Sequence, residues 1–351
     1  MKDLKKVKFA LVGCGRISAS HFDAMATHSE ACELVDVCDI NNAVLAKATS
    51  ETGALGHKTI DDLLKKSTAD CVVIATPSGL HAQHVMQVAN SGRSVLTEKP
   101  MATKWDDGLR MFDVCKSAGV ELFVVKQNRY NPTLVLLKRA IDEGRFGRIF
   151  AVSVNVFWTR PQSYYDAAPW RGTWALDGGA FMNQASHYVD LLDWLVGPVD
   201  SVHAMTATLA RKIEAEDTGV INIRWQHGAL GSMTVTMLTY PSNYEGSITI
   251  LGERGTVKVG GVAVNKIESW EFADHCDYDD DLQQASYETT SVYGHGHRSY
   301  YLDVIKKLRG ESVQTINGEQ GLRSLELLSA IYQSAGSSKI VRLPLSRDKQ
   351  D

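Results

Sequence analysis

Two side chains in this chain are placed to move protons. Lys99 ends a β-rich run in Thr97-Glu98-Lys99-Pro100, and His187 lies in an apolar helical stretch four residues after Asn183. An ammonium at a strand's carboxyl end can donate to a reacting oxygen and stabilise alkoxide charge as it develops. Where burial and a neighbouring positive charge lower its pKa, it can also take the proton. An imidazole titrates near neutral pH and is the second acid–base candidate. Residues four apart share a helix face, which would set Asn183 beside His187. Together these groups suit oxidation of a secondary hydroxyl, which needs a proton acceptor at oxygen and a hydride acceptor facing carbon.

The start of the chain implies what accepts the hydride. Gly13-Cys14-Gly15-Arg16-Ile17-Ser18 follows the run from Val7 to Val12 and opens a helical stretch. In that context the first glycine permits a tight turn, and the second lets the backbone approach a pyrophosphate seated on the helix N-terminus. Ser18 takes the third small position. Cys14 needs to supply only backbone there, so no thiol chemistry is expected of it. Asp39 ends the second β run, where a carboxylate would grip both ribose hydroxyls and repel a 2′-phosphate. Ile40, Asn41 and Asn42 follow it, with no adjacent cation, which favours NAD over NADP. A plainer role for Asp39 is a helix N-cap. Thr76-Pro77-Ser78 follows the apolar run ending at Ala75, in the crevice position of such a sheet, although the same residues also make an ordinary turn.

These residues need a scaffold, and the hydrophobic pattern supplies one. β runs over 7–12, 33–39, 71–75, 94–97 and 121–125 alternate with helical stretches over 17–28, 41–51, 60–66, 81–90 and 105–117. Such alternation predicts right-handed crossovers and a doubly wound parallel sheet, the α/β Rossmann arrangement. After residue 127 the rhythm changes. A helix over 133–143 precedes longer β runs over 149–159, 201–209, 219–225, 229–238, 245–251 and 255–259, with helices near 180–195, 298–308 and 319–334. This predicts an α+β second domain with a large open, mostly antiparallel sheet. The expected division is 1–127 for the nucleotide and 128–351 for substrate and self-association. Asp277 to Asp281 reads as a solvated acidic loop.

Composition limits the partners. The formal charge of −4 gives no field for nucleic acid or anionic lipid. No apolar stretch is long enough to span a bilayer, and the charged start does not read as a signal peptide. Six scattered cysteines without a C-x-x-C pair suit reduced thiols and a cytoplasmic setting. The pairs His295/His297 and His81/His84 lack further ligands, so no metal is expected.

Glu98-Lys99-Pro100 after a nucleotide-binding fold resembles the glucose–fructose oxidoreductase / inositol dehydrogenase (Gfo/Idh/MocA) family. Trp170-Arg171-Gly172, Gly178-Gly179, Asn183, His187, Asp190 and Trp194 resemble its second-domain motif. The resemblance spans essentially the whole chain. It implies NAD as cofactor, Lys99, His187 and Asn183 as catalytic residues, and a homotetramer built through the second-domain sheets. Cofactor contacts are expected from Gly13, Gly15, Arg16, Ile17, Asp39, Thr76, Pro77, Ser78, His81, Glu98, Lys99, Gln127, Trp170 and Arg171. Relatives often carry aspartate where this chain has Asn183. Asparagine offers an imidazolium only a neutral hydrogen bond, which favours Lys99 as proton acceptor.

Three further stretches, 124–129, 155–162 and 291–297, resemble the family branch that oxidises the C3 hydroxyl of UDP-N-acetylglucosaminuronic acid in lipopolysaccharide O-antigen synthesis. That substrate carries a diphosphate and a carboxylate and calls for cations and stacking surfaces. The candidates are Arg129, Arg160, Tyr164, Tyr165, Arg171, Ser186, Tyr244, Tyr293 and His297, beside Lys99, Asn183 and His187. A free polyol or aldose is the alternative substrate, and a sensor of NAD or sugar without chemistry is the alternative class.

Overall fold

The computed structural model describes residues 5–289, 292 and 296–346. The chain forms two compact units, one of Met1–Gln127 with Gly296–Leu325, the other of Asn128–His295 with Glu326–Asp351.

In the first unit, strands β1 (Val7–Val12), β2 (Cys32–Cys38), β3 (Leu55–His57), β4 (Cys71–Ile74), β5 (Ser94–Thr97) and β6 (Leu122–Val124) form a sheet in the order β3-β2-β1-β4-β5-β6. Every pairing is parallel. Helices α1 (Ser18–Thr27), α2 (Asn42–Thr52), α3 (Ile60–Lys66), α4 (His81–Asn90) and α5 (Trp105–Ser117) make the crossovers. All four residues of β4 are buried, as its unbroken apolar run requires of a strand covered on both faces. The strand order reverses between β1 and β4, and ligands bind beyond strand ends at such a switch point. The short β3 strand was not evident in the sequence.

The second unit opens with α6 (Pro132–Asp142), then β7 (Ile149–Phe157), α7 (Gln162–Asp166), a π-helical turn (Ala180–Gln184) and α8 (Ser186–Val196). Strands β8 (Val199–Ala207), β9 (Thr218–Trp225), β10 (Leu230–Thr236), β11 (Glu245–Gly252), β12 (Gly255–Gly260) and β13 (Lys266–Phe272) follow. α9 (Leu282–Ala285) follows them; α10 (Gly296–Leu308) and the start of α11 (Gly318–Ser337) belong to the first unit, and the rest of α11 and β14 (Val341–Arg342) to the second. The eight strands run β13-β12-β11-β7-β10-β9-β8-β14, antiparallel except for the β7–β10 pair. β9 alternates buried and outward residues, the mark of a sheet covered on one face. α8 lies on the covered side, where Trp225 Nε1 donates to the Leu192 carbonyl at 3.2 Å.

One segment departs from the expected division. Residues 296–325 belong to the first unit, not to a second domain running unbroken over 128–351. α10 packs on α1, with Arg298 paired to Asp23 at 2.8 Å and Tyr301 Oη 2.8 Å from His21 Nδ1. Helical periodicity shows that 298–308 folds as a helix but not which unit receives its apolar face.

Candidate active site

The glycine loop is shaped by two close approaches. Gly13 has φ +96°, and a Cβ there would lie 2.6 Å from the Ala75 carbonyl oxygen, so only glycine lets β1 pass the end of β4. At Gly15 a Cβ would meet no protein atom within 4 Å, which leaves the loop backbone open to a ligand. Ser18 Oγ donates to the Gly15 carbonyl at 2.7 Å and closes the loop onto α1. Arg16 is exposed and Ile17 half-buried on the same turn.

Asp39 is not the cap of α2. Asn41 fills that role, accepting from the Ala43 and Val44 amides at 3.0 and 3.2 Å. Asp39 Oδ2 instead accepts the Cys14 amide at 2.9 Å and Oδ1 the Asn41 amide at 2.8 Å, so the carboxylate is oriented by the glycine loop. Each oxygen keeps a further lone pair for a ribose hydroxyl. These residues fit a dinucleotide: a glycine cradle that a side chain would fill, beside a fixed carboxylate. Cys14 is no nucleophile, since burial and then the Asp39 charge push its thiol up to about 12.

The turn after β4 is braced from α4. His81 is buried with Nε2 2.8 Å from the Thr76 carbonyl and Nδ1 2.8 Å from the Pro100 carbonyl. His84 Nδ1 lies 3.1 Å from Thr76 Oγ1. The two histidines thus hold the Thr76 loop. Pro77 is half-buried and Ser78 is buried in the following short turn.

At the end of β5, Glu98 is buried and Lys99 half-buried. Glu98 Oε2 accepts the Lys99 amide at 3.1 Å, and Oε1 lies 3.1 Å from His21 Nε2 and 3.6 Å from His297 Nε2. Tyr301, hydrogen-bonded to His21 Nδ1, leaves Nε2–H to donate to the carboxylate. Burial opposes the charge on Glu98, but the His21 hydrogen bond and the neighbouring His297 imidazole outweigh it and hold the carboxyl well below its usual range. Neither His21 nor a shared His21–Glu98–His297 group was evident in the sequence. Their donor atoms lie within 4.8 Å of one another, a spacing that could also hold a cation. His297, expected at substrate, is buried in this group. Gln127 is buried at the end of the first stretch of this unit.

In the second unit, Asn183 and His187 do not share one regular helix. Asn183 lies in the π-helical turn, Ala185 breaks the run, and His187 is buried in the first turn of α8. π-turns recur at functional sites because they re-aim side chains. Asn183 Nδ2 donates to Asp177 Oδ1, and Asp177 Oδ2 accepts the Gly172 amide at 2.7 Å. Asp177, buried and missed in the sequence, ties the Arg171–Gly172 corner to Asn183. Ser186 Oγ donates to the Asn183 carbonyl at 3.1 Å.

A cation–aromatic cluster surrounds the turn. Arg160 Nε donates to Gln184 Oε1 at 2.9 Å, and Gln184 Nε2 donates to Tyr164 Oη at 3.2 Å. Arg171 stacks over Tyr164 at 4.3 Å and donates to the Tyr164 carbonyl at 2.6 Å. Trp170 lies 5.5 Å from the Arg171 guanidinium. A cavity of about 560 Å³ opens here, lined by Tyr165, Arg171, Thr173, Lys212 and Glu214 among others. Gln184, which links Arg160 to Tyr164, was not expected. Tyr165 is largely buried in the cavity wall beside Tyr164, and Tyr244 is exposed. Arg129 is engaged elsewhere: its guanidinium makes a buried two-point pair with Asp190 at 2.7 and 2.8 Å and lies over Trp194. Tyr293 and His295 lie outside the described residues.

A Rossmann unit with a glycine loop, a carboxylate fixed at the end of its second strand and a lysine at the end of its fifth defines a nicotinamide-dependent oxidoreductase. Residues 7–126 match the oxidoreductase-family NAD-binding Rossmann model, and residues 138–343 match its C-terminal alpha/beta domain. The chain belongs to the Gfo/Idh/MocA oxidoreductase family. It is 61% identical to the WlbA dehydrogenase from Bordetella pertussis, crystallised with NADH and UDP-GlcNAcA, with TM-score 0.95 over 97% of this chain and 99% of that one. The Chromobacterium violaceum WlbA, also with NADH and UDP-GlcNAcA, is 58% identical, with TM-score 0.94 over 99% and 98%. Inositol 2-dehydrogenase of Rhizobium meliloti is 30% identical, covering 72% of this chain and 74% of its own length. No helix among the described residues is long and apolar enough to cross a membrane.

Proposed function

We propose that this protein oxidises the C3 hydroxyl of UDP-N-acetylglucosaminuronic acid to the ketone with NAD, as a step toward an acetamido-sugar of lipopolysaccharide. The observation that carries the reading is the 61% identity, across nearly the whole chain, to a dehydrogenase crystallised with NADH and that sugar nucleotide.

Bound NAD supplies the hydride acceptor. Gly13, Gly15, Arg16, Ile17, Asp39 and the Thr76–Ser78 turn hold it, with His81 and Gln127 supporting. Lys99, backbone-anchored by Glu98, takes the hydroxyl proton at Nζ. A lysine amine positioned at the reacting hydroxyl acts as the general base of such an oxidation. His187 and Asn183 orient the sugar hydroxyls, with Ser186 fixing the turn that carries them. Arg160, Arg171, Tyr164 and Trp170 form the cationic and aromatic surface for the sugar nucleotide. Guanidinium binds phosphate or carboxylate through two parallel hydrogen bonds.

The protein works as a homotetramer in the cytoplasm, where its six unpaired thiols stay reduced. Self-association is supported by the outward face of the eight-stranded sheet, where exposed Leu230 and Leu251 flank Ala151 in one register row. Sedimentation of the purified protein tests the subunit number. The activity is tested by NADH formation with UDP-N-acetylglucosaminuronic acid against inositol and free aldoses. Turnover of the sugar nucleotide alone is expected; turnover of a free polyol alone overturns the substrate.

A further inference from the structure

A carboxyl group outside the set described above stands behind the π-helical turn. Glu216 precedes β9 and is 3% exposed. Its Oε1 accepts the Phe181 amide at 2.9 Å and the Tyr332 hydroxyl at 2.8 Å. Tyr332 Oη in turn accepts the Met182 amide at 3.0 Å, and the Glu216 carbonyl accepts the Ala180 amide at 2.9 Å. Three successive N–H groups that open the turn therefore end on Glu216 or on the phenol it holds. The first amides of a helical turn have no partner within the turn and must find one outside it.

Glu216 Oε2 fills the place of a side chain at Gly179, where a Cβ would lie 1.7 Å away. That oxygen is buried and has no hydrogen-bond partner. The second glycine of Gly178-Gly179 is explained by this carboxyl group and by no need of its own backbone, whose φ is −98°.

We infer that Glu216 is a positioning residue for the reaction: its carboxylate, with Tyr332, fixes the π-helical turn that carries Asn183 and Gln184 and leads into His187. The inference rests on the proposed function only in assigning those three residues to substrate. Tyr332 and Asp217 are the titratable groups with the largest effects on Glu216. Tyr332 faces it from α11, and Asp217 follows it in the chain. Asp217 is held ionised by the Leu209, Ala210 and Arg211 amides against its burial. Burial pushes the Glu216 carboxyl up to about 7, against the Phe181 and Tyr332 hydrogen bonds. Hydrogen bonds to an ionised acceptor are roughly twice as strong as neutral ones, so the turn is held best above that pH.

The test compares wild type with Glu216→Gln, which keeps the shape and the Oε1 acceptor but cannot ionise. The ratio of their kcat/KM values for the sugar nucleotide is measured from pH 6 to 8, so that ionisations shared by both proteins cancel. The ratio is expected to climb from about one to about fivefold, the size of one hydrogen bond's gain in strength. Its midpoint is expected near pH 7, with the Kd for NAD changed less than about twofold. A ratio flat with pH overturns the inference. The melting temperature of each protein over pH 5 to 8 is the second readout. A carboxyl whose folded pKa is raised stabilises the fold at low pH and loses that contribution as pH rises toward 7. The wild-type melting temperature should therefore fall relative to that of the variant across this range, whatever the substrate proves to be. Parallel curves also overturn the inference. A wild type inactive on the sugar nucleotide but showing this difference in melting would reject the substrate and keep the titrating carboxyl. Should Glu216→Gln fail to fold, Tyr332→Phe, which removes one donor to the carboxylate, should raise the midpoint of the same two curves. An unmoved midpoint overturns the inference.

Discussion

Glu98 and Lys99 are joined by a hydrogen bond between neighbours: Oε2 of the first accepts the backbone amide of the second at 3.1 Å. The other carboxylate oxygen reaches His21 on α1. The strand end that carries the lysine is thereby tied to the helix that follows the glycine loop.

Glu98→Gln removes a buried charge whose partners stay behind. Losing the charge-assisted hydrogen bond from His21 costs on the order of 1.5–3 kcal/mol. Urea unfolding at pH 7 should show a loss of that size. The folded pKa of Glu98 is depressed, so its contribution is present above the unfolded carboxylate value and is lost as pH falls through the folded one. The gap between wild type and variant should therefore narrow in acid. A gap that is constant with pH would assign the cost to shape and not to charge.

The two loop glycines should respond differently to alanine. At Gly13 the new Cβ meets the Ala75 carbonyl at 2.6 Å on a backbone of positive φ. That strain should cost about 1–3 kcal/mol of stability and disrupt NAD binding together. At Gly15 nothing in the protein opposes the methyl group. Gly15→Ala should melt within a few degrees of wild type yet bind NAD on the order of tenfold more weakly, since the methyl group stands where the pyrophosphate must approach. Calorimetry and NAD titration of both variants distinguish the cases; equal melting losses would contradict the assignment.

Arg129 offers a check on what counts as site. Its two-point pair with Asp190 is buried on both sides. Arg129→Met should lower stability by about 3–5 kcal/mol through the orphaned Asp190 charge. At a temperature where the variant remains folded, KM for the substrate should stay within about threefold, because uniform binding contacts are what a KM change reports. A large rise in KM with unchanged melting would return Arg129 to the substrate surface.

The chain's local patterns showed what local physics decides. The alternation over 7–125, the Gly13–Gly15 turn and the carboxylate at the end of β2 are set by residues close in sequence, and each forms as expected. What stayed hidden depends on partners far apart. His21 meets Glu98 and Tyr301 across 77 and 280 residues, and a histidine on a helix's buried face carries no local sign of either. Asp177, Gln184 and Glu216 act through a π-helical turn that periodicity reads as ordinary helix. The adjacent acids Glu216-Asp217, just before an alternating strand, were the available signal: two neighbouring carboxylates entering a covered sheet need buried donors. Arg129 was read as substrate-facing because a guanidinium suits phosphate and an internal carboxylate equally well.

In the proposed reaction the Lys99 amine takes the proton from the substrate hydroxyl. Lys99→Met keeps the length of the side chain and removes its only polar atom. Steady-state turnover with the sugar nucleotide, measured beside calorimetric NAD binding, tests this directly. A positioned acid–base group contributes on the order of a hundredfold to ten-thousandfold, so kcat should fall by at least the lower figure while the Kd for NAD stays within about threefold. A variant that binds NAD normally and turns over at near the wild-type rate would contradict the account.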